Sequence, residues 1–275
     1  ALLYDSLKIL KKEKQYAKID GRSYAIFSMG SVAGGFLGTY LFTLNISYPY
    51  YVGGIIFILT GLSYLWMQEP KRRHKQYSMR IHYRMMITGC RYVWSHRQVK
   101  WIIAFSSLMG AAFSYQIFIV QPSLLDIGFS VKYFGLLYAA IWGCEAMVYW
   151  NAHRLIERIG EKKTLFTICS FHLIAFFALS QIDFWLGLIF IIINYFGRGL
   201  YYPVSNNFIQ RHITTDHRAT TLSVQNFTVQ IACMITIFFF SRLTDMLVIS
   251  RVYFIVWIYC IFATGFLYIT FPDKK

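Results

Sequence analysis

Glu145 is the acidic side chain that lies well inside a long apolar run of this sequence. A bare charge there costs about 2.5–3.5 kcal/mol on insertion scales, so it must be protonated, paired or turned toward water. Trp142 and Tyr149 share its helical face at i−3 and i+4. Two readings stay open: a carboxylate that carries protons, or one half of a structural ion pair. Arg198 is the natural partner. Counted from the basic ends of their runs, both residues sit about 7–8 Å deep at the helical rise. Asn194, Arg198, Tyr201 and Tyr202 form a polar, aromatic strip, and Pro203 permits a bend or an end. An Arg in that strip could equally hold an anionic solute. Tyr115 and Gln116 in one run, and Gln225, Asn226 and Gln230 in another, are further polar groups that must face protein or water. They are candidates to line a solute cleft or to glue helices together.

Other chemistry is weakly represented. His212, Asp216 and His217 share one short basic loop, with no nucleophile or metal spacing to complete them. Cys90, Cys144, Cys169, Cys233 and Cys260 form no CxxC or His/Cys cluster, so neither a disulfide frame nor a zinc site is indicated. No catalytic residue, metal or cofactor is expected. A membrane-embedded enzyme remains a distant alternative, and a channel finds no repeated pore loop or charged ring.

The elements that must position these residues follow from composition. The 275 residues are 57% hydrophobic, 19% aromatic and only 14% charged. A soluble domain of this size would have more apolar surface than it can bury. The net charge of +15 is not a nucleic-acid footprint, because the basic residues sit between apolar runs. Eight runs are long enough to cross a bilayer: 24–44, 50–67, 101–120, 133–150, 164–182, 184–203, 220–241 and 252–271. Backbone groups in lipid need partners within the segment, so these runs must be helices. The fold class is therefore all-α integral membrane.

The connections alternate in charge. Of the 27 Lys and Arg residues, 23 fall on one side, 3 on the other (Lys132, Arg242 and Arg251), and Arg198 lies inside a run. The positive-inside rule places both ends and the long basic segment 68–100 in the cytoplasm. That segment divides the chain into 1–67, with two runs, and 101–275, with six. The short tails suggest a bacterial plasma-membrane protein, and the sequon Asn45-Ile46-Ser47 is too close to the membrane to be a good glycosylation acceptor.

Gly30, Gly34 and Gly38 repeat at spacing four, with Gly35 beside them, and predict a flat seam for close helix packing. Segments 153–163 (His-Arg-Leu-Ile-Glu-Arg-Ile-Gly-Glu-Lys-Lys) and 218–223 (Arg-Ala-Thr-Thr-Leu-Ser) stand at two cytoplasmic edges. The first is similar to the Gly-x-Leu-Ala-Asp-Arg-x-Gly-Arg-Lys-Lys loop of the major facilitator superfamily. His153, Glu157 and Glu161 depart from its first Gly, its Asp and its first distal Arg. The second is similar to that family's Arg-Ala-Thr-x-Leu-Ser start of the eleventh helix. Gly21-Arg22-Ser23 at the start of the first run is weakly similar to His217-Arg218-Ala219 at the start of the seventh, and Ala1-Leu2-Leu3-Tyr4-Asp5-Ser6-Leu7 resembles that family's exit from the fourth helix.

This resemblance covers the whole chain and implies a bundle with eight of twelve transmembrane helices present, the fifth to the twelfth. The chain is thus expected to be a piece of a longer protein, monomeric when complete. It implies 1–67 as the last part of one bundle, 68–100 as linker and 101–275 as a complete six-helix bundle. It also implies a cytoplasmic gate at Asp5, Arg22, Glu157, Arg158, Gly160 and Arg218, with the turn at Gly160 holding the charges together. Alternating access of a small solute about a midplane site, driven by protons, is the implied function. The stretch 30–39 resembles the family's antiporter signature, with Gly35 at the Pro position and Thr39 at the last Gly, which favours efflux; uptake of a nutrient or metabolite is the alternative. Expected partners are lipid, a small solute and protons.

The charge imbalance predicts that Cys introduced at Ser47 reacts with an impermeant thiol reagent added outside intact cells, whereas Cys at Lys162 does not. Labelling at Lys162 from outside would reverse the orientation.

Overall fold

The computed structural model describes residues 2–66, 79–130, 133–182, 184–213 and 218–272. Ten α-helices occur in them, and no strand. They are α1 (Leu2–Ile9), α2 (Tyr16–Leu44), α3 (Tyr48–Ser63), α4 (Met79–Ser95), α5 (Arg97–Asp126), α6 (Phe134–Ile159), α7 (Glu161–Gln181), α8 (Phe184–His212), α9 (Arg218–Met246) and α10 (Ile249–Thr270). Each of the eight apolar runs has a single α-helix as its body, the second passing into a 3-10 turn at Tyr64–Trp66. Six helices among the described residues are long and apolar enough to span a membrane: α2, α3 with its following 3-10 turn, α5, α7, α9 and α10. α6 and α8 carry the remaining two apolar runs, and with them Glu145, Asn194 and Arg198, the residues singled out for chemistry.

Several helices outrun their apolar segments. α2 begins at Tyr16 rather than at residue 24, because Tyr16, Asp20, Gly21, Ala25 and Ser28 recur at helical spacing and are all buried. α6 continues to Ile159, and α8 passes through Pro203 to His212. The segment expected to be a plain linker contains α4, whose aromatic and aliphatic residues are interleaved with basic ones. Interleaving hides an amphipathic helix from a search for continuous apolar runs.

Two large cores fill the six-helix part. One, at the basic end, includes Trp101, Phe105, Met109, Leu165, Ile168, Tyr201 and Phe208. The other includes Tyr115, Ile119, Phe176, Tyr195, Tyr253 and Val256. α5 packs on α9, and α8 on both α6 and α7. A smaller cluster of Ala25, Ala146 and Tyr149 joins α2 to α6, the main contact between residues 2–66 and the rest. α3 packs on α2 and buries no residue.

The closest approach of α2 to another described helix lies beside the face of Gly30, Gly34 and Gly38. A Cβ at Gly30, Gly34 or Gly38 would meet nothing within 4 Å. The α2–α6 approach uses the neighbouring face instead. There a Cβ at Gly21 would lie 2.6 Å from the Tyr149 carbonyl oxygen, one at Gly35 3.4 Å from the Trp142 ring, and one at Gly135 2.6 Å from Thr39 Oγ1. Gly30, Gly34 and Gly38 therefore face no described neighbour, while Trp142 and Tyr149 on α6 engage the adjacent face of α2.

Gly21→Ala should therefore destabilise the detergent-solubilised protein by about 1–3 kcal/mol, since a backbone oxygen cannot rotate away. Gly34→Ala should stay within about 0.5 kcal/mol of wild type. Melting curves of the two variants test this; equal losses would place both glycines in packed seams.

Candidate functional site

Two glycines flank Arg198 on α8, and each lets a neighbouring helix come close. A Cβ at Gly197 would lie 3.1 Å from Phe171 Cβ of α7. One at Gly199 would lie 2.7 Å from Val148 Cβ and 3.2 Å from the Glu145 carbonyl oxygen of α6. The backbone approach of α6 and α8 thereby puts their charged side chains in reach. Arg198 Nε lies 3.4 Å from Glu145 Oε1, with the side chains 19% and 3% exposed. Tyr149 Oη donates to the same carboxylate oxygen at 2.9 Å. The guanidinium carbon sits 5.4 Å from the centroid of the Tyr195 ring. Both partners engage the same oxygen, so the carboxylate is held by one cation and one phenol from one side.

The cluster continues onto α2. The Tyr24 ring is stacked between Tyr149 at 5.3 Å and Tyr202 at 5.2 Å. Asn206 Nδ2 donates to Tyr24 Oη and to Asp20 Oδ2, both at 3.2 Å. Asp20 is a second buried acid, 9% exposed. Glu145, Tyr149, Tyr24, Asn206 and Asp20 thus form one polar and aromatic path across α6, α2 and α8. The sequence reading missed Tyr24, Asp20 and Asn206. For Asp20 the signal was the helical period of 16, 20, 21, 25 and 28, which extends past the apolar run; Tyr24 and Asn206 carry no comparable signal.

The cleft candidates scatter. Tyr115 is buried between α5 and α9, where its hydroxyl lies 3.3 Å from the Phe240 carbonyl and 2.8 Å from Thr244 Oγ1. Gln225 donates to Ser106 Oγ at 2.9 Å, and Tyr201 donates to the Ser106 carbonyl at 2.7 Å. Asn226 is exposed. Gln116 and Asn194 are buried, yet Gln116 Nε2 and both side-chain polar atoms of Asn194 have no hydrogen-bond partner among the described residues. His172, not singled out from sequence, is fully buried, with Nε2 3.4 Å from the Met109 carbonyl and its ring edge-on to Phe113. No group of three or more metal-ligating side chains occurs among the described residues.

At the basic end, Gly160 adopts φ +85° and is the single residue between α6 and α7. Glu157 and Arg158 are exposed beside it. Neither joins Arg218, whose guanidinium stacks over Tyr4 of α1 at 4.1 Å. Arg22 stacks over Trp150 at 4.8 Å. The Asp5 side chain lies outside the described part of the structure, as do Asp216 and His217. Among the described residues Glu161 bridges helices here: its Oε1 accepts from Asn207 at 2.6 Å and pairs with Arg211 at 3.3 Å. Placed in the first turn of α7, it also faces the positive end of the helix dipole.

A helical bundle carrying a buried charge pair where two of its helices meet fits the sequence resemblance, and comparison with family models gives the same answer. The model of the Major Facilitator Superfamily matches residues 9–237. The chain belongs to the major facilitator superfamily. No curated protein matches it. Members of this superfamily are membrane transporters, so a multi-pass membrane transporter is the coarse function of this chain.

The superfamily member's charge pair gives a direct test. Glu145→Gln and Arg198→Gln should each destabilise the protein by about 3–5 kcal/mol, since each strands a buried charge. The double variant should lose clearly less than the sum of the two. Strictly additive losses in a thermal double-mutant cycle would show that the contact carries no coupling.

Proposed function

We propose that this protein is a secondary active transporter that moves a small amphipathic solute out of the cell by alternating access, coupled to protons. The observation that carries the reading is the placement of Glu145. A carboxylate within apolar surroundings, held by Arg198 and Tyr149 on the face of α6 that meets α2, sits where a change in helix packing would change its partners. Protonation would release Arg198, and the freed guanidinium would favour a different packing. That is a differential interaction of the proton with two conformations, which a coupled carrier requires. Outward direction is supported by the likeness of residues 30–39 to the antiporter signature. Asn194 and Gln116, buried with unused hydrogen-bonding capacity, are the solute contacts we propose, with Tyr115, Gln225 and Asn226 as further candidates.

The gate is proposed at the basic ends of the helices, which we place in the cytoplasm of a bacterial plasma membrane. Arg22, Arg218 and the turn at Gly160 hold its edges through ring contacts and a tight connection, with Glu157, Arg158 and Asp5 at its rim. The complete protein is proposed to act as a monomer, with residues 1–67 and 101–275 as separate moving parts joined by 68–100.

The test is accumulation of a fluorescent amphipathic dye in inverted membrane vesicles under an imposed pH gradient. Wild type should respond to the gradient and lose the response on addition of an uncoupler. Glu145→Gln should keep dye binding and lose the gradient response, and adding Arg198→Gln should not restore it. Recovery in the double variant would make the pair purely structural, and a gradient response in Glu145→Gln itself would remove Glu145 from coupling.

A further inference from the structure

A groove away from the Glu145 cluster opens between the end of α4, the start of α5, the start of α9 and the end of α10, with a volume of about 660 Å³. That size lies in the range of roughly 300–1,000 Å³ seen for small-molecule sites. Its walls divide by chemistry. Trp94, Arg97 and Lys100 stand at the helix ends, and Ala104, Val224 and Phe266 line it deeper in the span. Arg97 and Ala104 are separated by two helical turns, about 10 Å at the α-helical rise. Arg97 and Lys100 lie three residues apart on one helix face and are both exposed. The Lys100 ammonium sits 5.7 Å from the Trp94 ring centroid, which holds it at the mouth.

Two cations and an exposed indole at a helix boundary, above an apolar trough, have the charge and polarity order of one lipid molecule. Trp94 is 73% exposed, as expected of an aromatic residue at headgroup level rather than in a protein core. We propose that this groove is a binding site for one anionic glycerophospholipid of the leaflet on the basic side. Its phosphate sits between Arg97 and Lys100, and an acyl chain lies along Ala104, Val224 and Phe266. The site ties α4 to α5, α9 and α10 through the lipid. It needs only the bilayer setting and is independent of the direction and coupling of transport.

The experiment is native mass spectrometry of the purified chain in detergent, titrated with phosphatidylglycerol, with phosphatidylcholine or with inorganic phosphate. Phosphatidylglycerol should form a one-to-one adduct well below the concentration needed for phosphatidylcholine. R97Q/K100Q should weaken it about 25-fold, from about 5-fold per cation removed. R154Q/K163Q, which removes the same charge elsewhere on the basic face, should not. Equal binding of the two lipids, equal loss in both variant pairs, or full competition by inorganic phosphate would overturn the proposal. A second readout needs no loss of charge: brominated phosphatidylglycerol should quench wild type more than Trp94→Phe, and equal quenching would count against the site.

Discussion

Glu145 and Arg198 are charged groups placed where water cannot repay their desolvation, so their neighbours must do it within a few ångströms. That requirement reaches into the backbone. The pair forms because Gly199 lets α6 and α8 approach until the Glu145 carbonyl and the Val148 side chain fill the space of a missing methyl group. Gly197, on the other flank of Arg198, lets α7 do the same through Phe171. With α8 held from two sides, Arg198 has few places to go, and Tyr195 and Glu145 occupy them. The order of causes runs from small residue to close approach to ion pair.

From there the arrangement spreads to α2 by way of rings. Tyr149 gives its hydroxyl to Glu145 and its face to Tyr24, and Tyr24 gives its other face to Tyr202. The contact between residues 2–66 and the rest of the chain is therefore built on the same residues that steady the charge pair. At the basic end the contacts are different in kind. Glu161 reaches Asn207 and Arg211 across α7 and α8, and Arg218 and Arg22 lie over aromatic rings.

Much of the fold was legible in the sequence, because hydrocarbon leaves the backbone a small menu. Every apolar run became helical to within a residue of its described ends. What escaped was decided by surroundings. The extensions of α2 and α8 at the basic end are polar, and they are helical because one face of each is covered by neighbours. α4 escaped for the related reason that its apolar residues never run together. The site was legible in part. Glu145 and Arg198 stood out as misplaced charges, whereas Asp20 and Asn206 are ordinary surface residue types that become notable only when α2 and α8 bury them. Among the glycines, spacing drew attention to 30, 34 and 38, but the bulk of Trp142 and Tyr149 on the facing helix selected 21 and 35.

The position of Tyr24 has a mechanical side. Offset-stacked rings keep most of their attraction over a range of centroid distances, about 4.5–7 Å. A ring held between two others can thus slide in its plane while losing little. The bonds from Asn206 to Tyr24 and Asp20 are directional and weaken steeply once misaligned. The joint between α2 and the α6–α8 pair therefore combines contacts that tolerate small displacements with contacts that do not. The ring stack sets orientation loosely, while the two hydrogen bonds and the close approach of Gly21 to the Tyr149 carbonyl fix the resting position.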